Sequence, residues 1–88
     1  MMYEVEYSKR AVEQLKKLDK ASQKIIISWI TKNLVNCENP RVKGKALVGN
    51  HKGEWRYRIG DYRLICDIRD SELLILALAV GHRKDIYE

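Results

Sequence analysis

Residues 53–64, GEWRYRIGDYRL, read as a β-hairpin. Trp55, Tyr57 and Ile59 alternate with Glu54, Arg56 and Arg58, Gly60-Asp61 supplies a two-residue turn, and Tyr62 opens a return strand to Ile68. Such a turn sets the register: Ile59 faces Tyr62, Arg58 faces Arg63, Tyr57 faces Leu64 and Trp55 faces Cys66. One face then carries Trp55, Tyr57, Ile59, Leu64 and Ile68, fit to pack under other elements. The opposite face carries Arg56, Arg58 and Arg63. Directly opposed like charges weaken a strand pair, within the roughly 0.2–1 kcal/mol typical of cross-strand pairs. Asp67, on the diagonal, could neutralise Arg56, but the Arg58–Arg63 pair has no obvious acidic neighbour in this register and calls for an external anion. Phosphate suits it, because guanidinium groups donate bidentately and stay charged.

Outward from the hairpin, residues 2–7 alternate Tyr3, Val5 and Tyr7 with Met2, Glu4 and Glu6, the period of a short strand. Ser8 is placed to N-cap a helix carrying Ala11, Val12, Leu15 and Leu18. After a turn at Asp19-Lys20, a second helix from Ala21 to about Val35 is expected to bury Ile25, Ile26, Trp29, Ile30 and Leu34. Residues 41–53, with Gly44, Gly49 and Gly53 among charges, read as a loop. Residues 73–80 are almost wholly apolar, as in a strand covered on both faces. The expected fold is α+β in the order β-α-α-β-β-β: a two-helix hairpin packed on a small, mostly antiparallel four-stranded sheet, forming a single domain over residues 1–88. The other face of the sheet is expected to be left partly open.

The chain's net charge of +5 is concentrated. Residues 41–63 hold seven basic residues (Arg41, Lys43, Lys45, Lys52, Arg56, Arg58 and Arg63) against Glu54 and Asp61, a segment charge that equals that of the whole chain. A focused anion site fits this pattern and an evenly basic surface does not. Arg56, Lys43, Lys45, Lys52 and His51 are the candidate nucleic-acid-binding residues. Trp55, Tyr57 and Tyr62 could stack on bases, although aromatics at inward strand positions more often belong to the core. Cys37 and Cys66 have no CxxC spacing and form no metal pattern with His51 and His82, so both read as free thiols and no metal site is expected. No apolar run approaches the ~18 residues of a membrane span, and no signal peptide is evident, so no membrane association is expected and the cytoplasm is the expected location.

Across GEWRYRIGDYRLICDI and LLILALAVGHRKDIY the chain resembles the RelE/ParE superfamily of bacterial toxins, most closely its RelE-type ribosome-dependent mRNA endonucleases, the mRNA interferases. The likeness extends to the opening YSKRAVEQLKKL, the helical hairpin and the loop ending in Leu47 and Gly49. It implies the toxin of a type II toxin–antitoxin system that cuts mRNA in the ribosomal A site. It also implies a cognate acidic, RelB-like antitoxin, a toxin–antitoxin hetero-oligomer, and no cofactor. By position, Arg56 and Arg58 match two basic residues of the family's second strand, Arg63 its phosphate-binding arginine, Arg83 the basic residue after the last strand, and Tyr87 the aromatic that closes the site. The implied catalytic set is Arg58, Arg63, Arg83 and Tyr87. Arginine where relatives carry lysine leaves the general base open: Tyr87, His51, His82 or another residue. The alternatives are a ParE-type DNA gyrase inhibitor of the same fold and a non-enzymatic nucleic-acid-binding module.

Overall fold

The computed structural model describes residues 2–49 and 53–82. Its elements are β1 (Glu4–Tyr7), α1 (Lys9–Lys16), α2 (Lys20–Asn33), β2 (Lys45–Ala46), β3 (Trp55–Ile59), β4 (Tyr62–Arg69) and β5 (Leu74–His82). The hairpin has the expected register, with Trp55 opposite Cys66, Tyr57 opposite Leu64, Arg58 opposite Arg63 and Ile59 opposite Tyr62. Gly60 turns it at φ 59° while Asp61 keeps a negative φ, the type II′ pattern that matches strand twist and favours glycine first.

The five strands lie in the order β1-β5-β4-β3-β2, with β1 parallel to β5 and the other pairs antiparallel. The sheet is therefore one strand larger than expected. The addition is β2, where Lys45 pairs with Arg56 and Ala46 with Trp55 inside the segment read as loop. Two residues carry no periodic signal; what creates this strand is close approach to β3. Gly44, at φ 85°, lies so near that a Cβ there would stand 2.7 Å from Trp55 Nε1 and inside contact distance of the Arg56 carbonyl oxygen.

A bulge in β5 was hidden by its apolar run. Ile65 pairs with Ala79 but Cys66 with Ala77, so Leu78 is the extra residue and the inward phase shifts. Ile75 and Ala77 before it, and Val80 after it, all join one core. Ser8 fastens this bulge to the helical layer. Its amide donates to the Ala77 carbonyl at 2.8 Å, its hydroxyl donates to the Leu78 carbonyl at 3.0 Å, and the same Oγ accepts from the Ala11 amide at 3.1 Å as the α1 N-cap. Just beyond, the Val80 amide donates to Gln14 Oε1 at 2.7 Å.

The core joins Ala11, Ile26, Ile30 and Leu34 of the helical side to Tyr57, Leu64, Cys66, Ile75 and Val80 of the sheet. Ile25 does not enter it, contrary to the sequence expectation, and is 59% exposed. Ile26, Ile30 and Leu34 recur every four residues along the sheet-facing stripe, and Ile25 stands about 100° away from it. Cys66 is buried and Cys37 half-buried, both free, and burial pushes both thiols up.

Candidate functional site

The basic segment after α2 is held against the sheet by aromatic side chains of the hairpin. The fully buried Tyr57 donates its hydroxyl to the Pro40 carbonyl at 2.5 Å, and Trp55 Nε1 donates to the Lys43 carbonyl at 2.7 Å. Arg41 grips Asp70 with both terminal nitrogens, at 3.0 and 3.1 Å, while Tyr3 donates to the same carboxylate at 2.6 Å. The Arg41 guanidinium also stands 6.0 Å from the Trp55 ring centroid, within cation–π range. The guanidinium and phenol hold the Asp70 carboxyl below its ordinary pKa. Burial, first of all, pushes the Tyr57 phenol up, keeping it a donor.

These contacts deliver Lys43 and Lys45 to the edge of β3. There a cavity of about 390 Å³ is lined by Trp29, Lys43, Gly44, Lys45, Arg56, Arg58 and Arg63. Five of those residues are cationic and none is acidic. Two like-charged cross-strand pairs meet in it, Lys45 opposite Arg56 and Arg58 opposite Arg63. Arg58 is exposed, Arg56 and Arg63 half-buried. Asp67, a possible partner of Arg56 by register, pairs with Arg69. Its Oδ2 accepts from Arg69 Nε at 2.9 Å, two residues along the same face of β4. Concentrated positive charge with fork-shaped donors is suited to phosphate oxygens.

The structure thus brings together Arg56, Arg58, Arg63, Lys43 and Lys45. His82 lies elsewhere: it pairs with Tyr62 across β4 and β5, and the two rings meet edge to face with centroids 5.8 Å apart. Tyr62 shares a 3.0 Å hydrogen bond with Ser22 of α2, so this pair belongs to the helix-facing side, while Arg63 is opposite Gly81. Lys52, His51, Arg83 and Tyr87 lie outside the described residues. One pocket residue escaped the sequence reading. Trp29, expected in the core, is half-buried and reaches the cavity from α2, packed on Tyr57 with ring centroids 5.6 Å apart and planes 53° apart. Helical spacing alone could not separate it from Ile26 and Ile30.

Fold and pocket define a small α+β domain that offers a cationic edge to an anionic ligand. A family model described as "ParE toxin of type II toxin-antitoxin system, parDE" matches residues 5–87. A putative RelE-like toxin protein of Escherichia coli is 31% identical over 90 residues, covering 99% of this chain and 92% of the relative. The RelBE2 toxin–antitoxin complex of Mycobacterium tuberculosis contains a chain of 28% identity and TM-score 0.85, with 97% of this chain and 95% of that one covered. The archaeal RelE-RelB complex from Pyrococcus horikoshii is similar at 28% identity and TM-score 0.73, covering 97% of this chain and 99% of that chain. The isolated E. coli RelE toxin, at 21% identity and TM-score 0.72 over 97% of this chain and 90% of that one, shares the fold. The protein belongs to the RelE/ParE family of type II toxin–antitoxin toxins.

Proposed function

We propose that this toxin is a ribosome-dependent endoribonuclease that cuts mRNA in the A site. The observation that carries the reading is the pocket in which Arg58 and Arg63 stand directly opposite one another beside Arg56, Lys43 and Lys45, five cations gathered in one cavity. In the reaction the RNA's 2′-oxygen attacks the adjacent phosphorus, the bond to O5′ breaks, and a 2′,3′-cyclic phosphate and a 5′-hydroxyl result. Negative charge gathers on the non-bridging oxygens of the phosphorane, where fixed cations lower the barrier most. Arg58 and Arg63 supply that charge, and Arg56 with the two lysines aligns the strand.

One proton must leave O2′ and another must reach O5′. Arginine does not release its proton at working pH, so the pocket's guanidiniums are not the base. His82, turned toward Tyr62 on the helix-facing side, is poorly placed for it. Tyr87 is our assignment for the proton from O2′ or for stacking on the base, with Arg83 at the leaving oxygen. An acidic, RelB-like antitoxin covering the cationic pocket would inhibit by competing for the same charge; the RelBE2 and archaeal neighbours are toxin–antitoxin complexes.

Induction in cells, with 5′ ends mapped on one mRNA in translated and untranslated forms, tests the reading. The expected result is cleavage confined to the translated form. Intact translated mRNA together with collapsed DNA supercoiling would replace it by gyrase inhibition, the alternative that the ParE-type resemblance implies.

A further inference from the structure

We infer that Trp29 is the base platform of the cationic pocket: a nucleotide whose phosphate is held by Arg58 and Arg63 lays its base on the Trp29 indole. The inference rests on the reading of the pocket as an RNA site. The other aromatics of the hairpin are committed elsewhere. Tyr57 is fully buried with its hydroxyl on Pro40, Trp55 is tied to the Lys43 carbonyl with Arg41 near its ring, and Tyr62 is joined to Ser22 and His82. Tyr3 and Tyr7 flank or lie in β1, at the opposite edge of the sheet from β2. Among the described residues, Trp29 is the one aromatic lining the cavity.

Its surroundings suit stacking. Tyr57 backs the indole, so little freedom is lost when a base settles on it. The same side chain lines a second, shallower groove along α2, shared with Ala21, Lys24, Ile25, Ser28 and Lys32, which carries positive charge past the ring. A half-buried indole bordered by lysines and arginines on both sides matches the alternation of flat base and anionic phosphate in a single strand. An acidic protein segment would match the cations, but it has no regular counterpart for the ring.

The test uses the whole chain and a short labelled RNA whose 2′-hydroxyls are methylated, so that it cannot be cut, beside an abasic oligomer of equal charge. The parent should bind the base-bearing oligomer about tenfold more tightly, the scale of one base–aromatic stack, and its tryptophan emission should be quenched by that oligomer alone. Trp29→Leu should bind both oligomers with the parent's abasic affinity, and Trp29→Phe should lose the quench while keeping most of the preference. A Trp29→Leu chain with undiminished base preference, or a parent showing neither preference nor quench, overturns the inference and leaves the RNA reading standing. A parent that binds neither oligomer removes both. Because Trp55 also emits, the deciding reading is the loss of the quench in Trp29→Phe, and a quench that Trp29→Phe retains overturns the inference even if Trp29→Leu does not fold.

Discussion

Tyr57→Phe isolates the anchor beneath the basic segment. The ring keeps its place among Trp29, Leu64 and the rest of the core, so packing is nearly conserved and the change removes one hydroxyl. That hydroxyl lies within a fully buried side chain and donates at 2.5 Å to the carbonyl of Pro40, itself a buried residue. Without the donor, the carbonyl is left in an apolar site with its desolvation uncompensated, which costs about 1–3 kcal/mol. In a domain of this size each kcal/mol moves the midpoint of thermal unfolding by about 4–8 °C, so a central value of about 2 kcal/mol lowers Tm by about 8–16 °C. Circular dichroism melts of parent and variant measure this, and urea titration at unchanged m-value confirms that stability rather than compactness has changed. Because Pro40 lies just upstream of Lys43 and Lys45, RNA affinity should weaken below the new Tm as well. A variant melting within about 2 °C of the parent would refute the reasoning, since it would mean that the carbonyl recovers a partner from water.

Three further outcomes follow from other contacts. Gly44→Ala, where both the positive φ and the crowding by Arg56 and Trp55 oppose a side chain, should destabilise by more than Gly60→Ala, where only φ opposes it and the Cβ space is open; the strain alone is worth about 1–2 kcal/mol, and paired urea midpoints compare the two. Arg63→Gln should slow single-turnover cleavage on programmed ribosomes by about 10²-fold or more while leaving Tm unchanged or slightly raised, because it removes both a phosphorane contact and the Arg58–Arg63 repulsion; near-parental cleavage takes Arg63 out of the mechanism. Asp70 has its folded pKa lowered by Arg41 and then Tyr3, so its contribution is present above the unfolded value near 3.8 and is lost as pH falls through the folded one. Tm differences between parent and Asp70→Asn should therefore be largest at neutral pH and vanish in acid, and a difference independent of pH would show that the carboxylate's charge is not what holds Arg41.

The local pattern of the chain determined the helices, the four longer strands and the hairpin register. Each of those follows from side-chain periodicity and turn chemistry, which act between residues close in sequence. Arg56, Arg58 and Arg63 fell on one face for the same reason: alternation with a glycine turn leaves no other arrangement. Other features depended on the third dimension. The bulge at Leu78 lies within an apolar run that reads alike in either phase, and it is settled by Ser8 and Gln14, some 66–70 residues away in sequence. The strand Lys45–Ala46 exists because Gly44 permits contact with β3, and Asp67 pairs with Arg69 two residues along its own strand. Trp29 shows the limit most plainly. Its position on α2 marks it as apolar and inward, but whether an inward side chain ends in the core or at the rim of a pocket depends on where the sheet stops, and among the described residues that is decided only when β2 ends beside Arg56.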